Sequence, residues 1–151
     1  MTELIYSQFE TTHNGFMGEI KDLDEATLDT QPEGFNNTIH WHIGHVLTIS
    51  ESLLFSFPDN TDHLPKHYHD LFSNGTKPAD WPEDVPSVDE LKEQLADQLE
   101  RIKQIPEEKL SEKLPQAVLG AQTYGELITV AAFHEGNHAG RVNAMKKVLK
   151  K

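Results

Sequence analysis

The chain of 151 residues contains no cysteine. A disulfide framework, a thiolate metal site and a cysteine nucleophile are therefore excluded, and any thiol in its chemistry must arrive as a ligand. The chain also lacks an apolar run near the roughly 18 residues that a membrane span needs, and its start carries acids instead of the basic segment of a signal peptide. We therefore expect a cytoplasmic protein with no membrane partner.

Basic residues are scarce. The 13 Lys and Arg stand against 25 Asp and Glu, which gives a formal net charge of −12. The resulting field repels phosphate backbones, so nucleic acid is not an expected partner. With 36% hydrophobic and 25% charged residues the composition is that of an ordinary globular protein of one-domain size. We predict a single domain over residues 1–151.

Apolar residues recur at the three-and-four spacing of a helix stripe in four segments. The predicted helices run from Thr2 to about Leu23 (helix 1), from about Thr38 to Phe57 with Pro58 ending it (helix 2), from the cap at Ser87 to before Pro106 (helix 3), and from the cap at Thr123 to the C-terminus (helix 4). No segment has a convincing alternating strand pattern. The sequence therefore predicts an all-α protein, a four-helix bundle.

Two long connections separate the predicted helices. Residues 24–37 are rich in turn-forming side chains, and residues 59–86 are interrupted by prolines. We predict that the second connection is a long loop between helices 2 and 3, with a short helical turn at Tyr68–Phe72. A loop of this length in a compact domain is usually functional.

Histidine is abundant, with nine residues, and two of them fall on the apolar stripe of helix 4. His134 and His138 occupy positions that the pattern assigns to the core. Residues four apart on one helix face have β-carbons about 5–6 Å apart, so both imidazoles can reach one metal ion. The alternative is two core histidines that form separate hydrogen bonds. The spacing favours a metal site.

The same segment reads His134-Glu135-Gly136-Asn137-His138 and matches the H-E-x-x-H pattern of zinc metalloproteases. The residues after His138 include no Asp, Glu or His to serve as a third ligand, so we do not expect a peptidase. Glu135 could orient a ligand or move a proton beside the metal, or could be an exposed glutamate. Arg141 could pair with a substrate carboxylate or with a neighbouring acid.

A third ligand must come from another helix, and helix 2 offers His40, His42 and His45 within six positions. The helical wheel does not choose between two of them, because His42 lies closer to the apolar centre and His45 lies at its edge. Gly44, beside His45, lacks a side chain and would let another backbone or a ligand come close.

The remaining histidines are expected to have other roles. We interpret His13, beside the helix 1 stripe, as a half-buried hydrogen-bonded residue, with a position facing the site as the alternative. We expect His40 and His42 at the surface or at an interface, and Trp41 and Tyr124 in packing. Three more histidines lie in the long loop, where solvated side chains are expected: His63, His67 and His69.

Three segments form a recognisable combination. Residues 37–45 contain N-x-x-W-x-x-G-H, the segment Tyr68–Phe72 leads to Gly75-Thr76, and the last helix carries His134-x-x-x-His138-x-Gly140. H-x-x-x-H alone is common, but its combination with an upstream W-x-x-G-H is specific. In these segments the chain resembles the DinB-like superfamily, which includes bacillithiol-transferase-type proteins, and the resemblance covers nearly the whole chain.

The resemblance implies an up-down-down-up four-helix bundle that is often a homodimer. It also implies a divalent metal ion held by His45, His134 and His138, and so selects His45 where the wheel left the choice open. The implied activity is the transfer of a low-molecular-weight thiol, such as bacillithiol, to a small electrophile.

Three histidines leave an open coordination position, as in catalytic metal sites. Zn²⁺ is the expected ion, and Ni²⁺ is the alternative because imidazole ligands suit several divalent ions. We therefore expect a metal-dependent thiol S-transferase. The alternative functions are a non-catalytic metal-binding stress-response module and a metal-dependent hydrolase that uses the same three histidines.

Overall fold

A computed structural model describes residues 1–56 and 61–150, which are mainly helical. The α-helices are α1 (Thr2–Glu19), α2 (Glu25–Asp29), α3 (Ile39–Leu54), α4 (Tyr68–Phe72), α5 (Val88–Lys103) and α6 (Tyr124–Leu149). Two short strands, β1 (Lys113–Val118) and β2 (Ala121–Thr123), form an antiparallel hairpin, and two 3₁₀ turns cover Pro78–Asp80 and Glu107–Ser111. The chain is therefore mainly helical, in agreement with the prediction of an all-α protein except for this short hairpin.

The helix starts follow the capping residues of the sequence. At four starts the side chain of the cap residue accepts a hydrogen bond from a backbone N–H three residues on: Asp24, Thr38, Ser87 and Thr123. At Thr123 the bond is reciprocal, because the Glu126 carboxylate accepts from the backbone N–H of Thr123. Each such cap is worth about 1 kcal/mol, and here the caps set where α3 and α6, the helices of the site, begin.

Some predicted boundaries differ from the observed ones. Helix 1 ends at Glu19 instead of Leu23, and the chain then turns through Asp22, whose φ is 57°. Helix 2 corresponds to α3 up to Leu54, while its predicted end at Phe57 and Pro58 lies outside the described residues. The helical turn predicted at Tyr68–Phe72 is α4.

A short helix and a hairpin of two strands were missed by the sequence prediction. The short helix α2 lies within the connection of residues 24–37. The expectation of no strands was wrong, because β1 and β2 pair around Leu119 and Gly120, whose φ values of 50° and 89° are those of a tight hairpin turn. β1 shows no alternating burial and contains Pro115, which explains why it left no strand pattern.

The four long helices contact one another in a ring: α1 packs on α6, α6 on α3, α3 on α5, and α5 on α1. Thirteen of the sixteen residues of α3 are buried. This accounts for a helix that is apolar nearly all round, since α2 and α4 cover the faces that α5 and α6 leave open. The histidines at the start of α3 are therefore in the protein interior.

The other end of α3 is tied to α5 by a buried carboxylate. Glu51 is 2% exposed, and both of its oxygens accept hydrogen bonds of 2.9 Å from the guanidinium of Arg101. Gln98 donates a further bond of 2.6 Å to the same carboxylate. A buried charge is tolerated only with such partners, so this cluster fixes α3 against α5.

Within residues 1–56 and 61–150, none of the helices combines the length and the apolar character needed to cross a bilayer.

Candidate metal site

Three histidines from two helices meet at one place between α3 and α6, where two are buried and His134 is partly exposed. α3 contributes His45, and α6 contributes His134 and His138, which lie one turn apart. One ring nitrogen from each lies within 4.8 Å of the other two. The Nε2 atoms of His45 and His134 are 3.2 Å apart, and two ligands of a tetrahedral Zn²⁺ with bonds of 2.0–2.1 Å are separated by roughly 3.3 Å. The cluster therefore has the dimensions of a metal site.

The ring of His45 is fixed on two sides. Its Nδ1 donates a hydrogen bond of 2.6 Å to the carbonyl of Phe72, which leaves Nε2 with a free lone pair. Its face stacks on Trp41 with ring centroids 4.4 Å apart, and the Trp41 indole N–H donates to Thr76. Phe72 and Thr76, in the connection between α3 and α5, thus hold His45 and Trp41 in place, with Nε2 of His45 directed to His134.

Gly44 makes this arrangement possible. A Cβ at this position would lie 2.3 Å from two carbons of the Phe72 ring. Since Phe72 also supplies the carbonyl that accepts from His45, a glycine beside His45 lets α4 approach α3 closely enough for that bond. The group that comes close to Gly44 is therefore the aromatic ring of Phe72 in α4.

The expectation of surface positions for His40 and His42 was wrong. They are 8% and 4% exposed, because α3 is covered on nearly every side. His40 bonds Asp29 and the carbonyl of Pro86, away from the cluster. His42 lies 2.8 Å from His138 between their Nδ1 atoms, although it is not one of the three clustered histidines.

The clustered imidazoles are neutral at pH 7. Burial, followed by repulsion from His45 and Arg141, lowers the pKa of His134 to about 4. Burial and the neighbouring histidines lower the pKa of His138 to about 2, and burial also lowers the pKa of His45. Neutral rings are required for ligation, since a protonated imidazole has no lone pair to give.

Glu135, next to His134, is directed away from the cluster. It is 0% exposed, so the alternative of an exposed glutamate was wrong, and its Oε1 lies 2.9 Å from Nδ1 of His13. The two atoms form no hydrogen bond, so the pair is a close polar contact across the α1–α6 interface. His13 is 2% exposed and fully interior instead of half-buried.

A cavity of about 900 Å³ opens onto the cluster. Arg141 lines it, is exposed, and forms no ion pair with an acid among the described residues. Four amide side chains share the polar wall: Asn36, Asn37, Asn74 and Asn137. None of the described Asp or Glu residues lines the cavity, although the chain has 25 of them. The wall is therefore locally positive in an acidic protein.

Part of the cavity wall is apolar. Phe133 and Leu119 line the cavity and are each 74% exposed, which gives its mouth an apolar rim.

The other residues considered in the sequence lie elsewhere or have packing roles. Tyr124 is a packing residue whose hydroxyl donates to the carbonyl of Leu54, and Trp41 is 4% exposed but also lines the cavity. The histidines of the long loop segment are exposed and outside the cluster: His63, His67 and His69.

A mainly helical protein with three clustered histidines at an open cavity belongs to the class of helical proteins that could hold a metal ion. The sequence matches the DinB superfamily over residues 8–142, a span that includes all three clustered histidines. The chain belongs to this superfamily. No curated protein sequence matches it significantly.

Proposed function

We propose that this protein is a divalent-metal-dependent thiol S-transferase that joins a low-molecular-weight thiol to a small electrophile. The observation that carries the proposal is the convergence of His45, His134 and His138 on one point beside an open cavity. Three protein ligands leave one position for an exchangeable group, as in catalytic zinc sites. Zn²⁺ is the proposed ion, and Ni²⁺ is the alternative.

When bound, a divalent ion supplies Lewis-acid chemistry that lowers the pKa of a thiol, so that the thiolate is present at neutral pH. The thiol proton passes to solvent. The sulfur forms a bond to the electrophilic carbon, while the bond from that carbon to the leaving group breaks and the leaving group takes the electron pair. His45 and His138 contribute by remaining neutral at this pH, as their lowered pKa values require.

The charge of the cavity wall supports an anionic thiol. Among the described residues that line the wall, Arg141 is the one with a permanent charge, and the amides beside it can donate and accept hydrogen bonds. We propose that Arg141 binds a carboxylate of the thiol, because its guanidinium has no acidic partner within the described residues and matches a carboxylate in shape. The apolar rim at Phe133 and Leu119 suits an electrophile with an apolar body.

The position of Glu135 favours transfer over hydrolysis. A hydrolase of the H-E-x-x-H kind uses this glutamate to take a proton from water, but here the carboxylate lies against His13 in the α1–α6 interface. No described Asp or Glu of the cavity wall can replace it. A thiol is far more acidic than water and needs no such base.

The proposal also covers the topology of the bundle and the oligomeric state. The ring of contacts among α1, α3, α5 and α6 supports the up-down-down-up four-helix bundle of the superfamily, formed as a single domain. We also propose a homodimer, because the superfamily resemblance implies one. We propose no nucleic-acid or membrane partner, because the net charge of −12 repels phosphate groups.

The proposal is tested by elemental analysis and a conjugation assay on tag-free protein. The assay follows a chromogenic aryl halide with a carboxylate-bearing thiol and with neutral 2-mercaptoethanol. We expect about one metal ion per chain, with both metal and turnover lost in His134→Ala and His138→Ala and kept in the matched control His69→Ala. A wild-type protein that cannot be loaded with metal contradicts the site, and a loaded protein without turnover supports the non-catalytic module instead.

A further inference from the structure

One interior histidine outside the cluster makes a direct contact with a member of it. Nδ1 of His42 lies 2.8 Å from Nδ1 of His138, and the two ring centroids are 5.0 Å apart. The residues are 4% and 6% exposed, so water does not compete freely for this contact. The distance is that of a hydrogen bond between two imidazoles.

The proton of this bond can be assigned from the needs of the two rings. An imidazole that binds a metal ion is neutral, so His138 as a ligand has one N–H and one lone pair, and a neutral His42 has the same. Because Nδ1 of His138 is occupied by His42, Nε2 is the nitrogen that His138 can offer to an ion. Its proton then resides on Nδ1 and is donated to the lone pair on Nδ1 of His42, which carries its own proton on Nε2.

We propose that His42 is a positioning residue that accepts the Nδ1–H of His138 and so fixes the tautomer and orientation of His138 for metal binding. The inference rests on the metal site of the proposed function, but not on the reaction assigned to it. His42 does for His138 what the carbonyl of Phe72 does for His45. Partners of this kind contribute roughly 10–100-fold to metal affinity.

His40 offers a matched comparison on the same helix. It is 8% exposed and forms two hydrogen bonds, of 2.8 Å to Asp29 and 2.9 Å to the carbonyl of Pro86. It is therefore buried and bonded like His42, yet it contacts none of the three clustered histidines. Replacing His40 therefore measures the loss of stability caused by removing a buried histidine from the start of α3, without disturbing the three clustered histidines.

The test compares the metal affinity of His42→Phe, His42→Asn and His40→Phe. Phe keeps a ring but removes the acceptor, whereas the Oδ1 of Asn is bonded to Cγ, as Nδ1 of histidine is, and can accept the same hydrogen bond. Zn²⁺ affinity is measured on metal-depleted protein by competition with a chromophoric chelator, and the Co²⁺ absorption spectrum and thermal unfolding of the metal-free proteins are recorded.

We expect His42→Phe to bind Zn²⁺ roughly 10–100-fold more weakly and to change the Co²⁺ spectrum, while His42→Asn restores most of the affinity. His40→Phe should unfold at a lower temperature and keep the wild-type affinity. Unchanged affinity in His42→Phe overturns the inference, as does an Asn variant no better than Phe. Complete loss of binding, equal to that of His138→Ala, also overturns it, because His42 is then a ligand.

The readouts separate this inference from the proposed function. A wild-type protein that binds no Zn²⁺ overturns both. Wild-type binding with the expected pattern among the variants, but without thiol conjugation, supports the role of His42 and contradicts only the assigned reaction.

Discussion

Oε1 of Glu135 lies 2.9 Å from Nδ1 of His13, and both side chains are closed off from solvent between α1 and α6. Glu135 directly follows His134, yet the two side chains serve different faces of the helix. One face presents imidazoles to the cavity, and the other places a carboxylate against α1. The H-E-x-x-H segment of this chain therefore combines a ligand pair with a contact between helices.

Replacing Glu135 tests this separation. Glu135→Leu should lower the free energy of unfolding by about 1–3 kcal/mol, because the buried Nδ1 of His13 loses the carboxylate oxygen 2.9 Å away and faces an apolar side chain instead. Metal content should not change. The double variant His13→Leu/Glu135→Leu should regain much of the loss, since neither polar partner remains. Denaturant unfolding and elemental analysis check both points, and loss of metal with full stability would show instead that Glu135 acts at the ion.

Arg141 provides a test of ligand charge. Arg141→Gln should raise KM for a carboxylate-bearing thiol by about tenfold or more, because a charged hydrogen bond of roughly 1.5–3 kcal/mol is removed. KM for 2-mercaptoethanol and the metal content should stay near wild type. The control is Lys147→Gln, an exposed cation of α6 outside the cavity. An equal effect of Arg141→Gln on both thiols would contradict carboxylate binding.

The metal-free protein should lose stability in acid. Burial lowers the pKa of His42 and His134 from 6.5 to about 4 and that of His138 to about 2, so below pH 6.5 the unfolded chain binds protons that the folded chain does not. Each such ring makes unfolding easier by up to about 1.4 kcal/mol per pH unit. Denaturant unfolding between pH 8 and pH 5 measures the effect.

Two comparisons control this pH dependence. His134→Phe removes one titrating ring and should reduce the slope of stability against pH. Saturating Zn²⁺ should keep the protein folded to lower pH, because protons and the ion compete for the same nitrogens. Stability that does not change between pH 7 and pH 5 in the metal-free protein would contradict interior neutral histidines.

Gly44 should not tolerate a side chain. Gly44→Ala places a Cβ 2.3 Å from the Phe72 ring, so α4 must shift and the hydrogen bond to His45 must weaken. We expect a loss of about 1–3 kcal/mol in stability together with weaker Zn²⁺ binding. The matched variant is Gly15→Ala in α1, where an added Cβ meets no atom within 4 Å. It should gain about 0.5–1 kcal/mol and bind metal normally, as calorimetry and chelator competition will show.

Local signals predicted the parts of the structure that depend on neighbouring residues. The caps at Ser87 and Thr123 mark α5 and α6 because a cap bonds within one turn. His134 and His138 were recognised by the same logic, since residues four apart share one helix face. These features need no knowledge of how the helices pack.

Features that depend on how the helices are rotated against one another were not predictable in this way. The contact of Glu135 with His13 requires the mutual orientation of α1 and α6, and the burial of His40 requires the connection just before the cap of α5 to pass over α3. His42 did carry a signal, because it lies near the centre of the apolar face. Its bond to His138, however, appears only once α3 and α6 cross.

The cavity wall around Arg141, which none of the described Asp or Glu residues lines, affects which ligands can enter the cavity. At long range the molecule repels every anion, since its exterior carries the net charge of −12. A polyanion meets that repulsion along its whole length, whereas a small anion escapes it within a Debye length of about 8–10 Å once it reaches the mouth. The charge distribution therefore selects anionic ligands by size. Added salt should raise the association rate of small anions, because it screens the repulsion that they must cross.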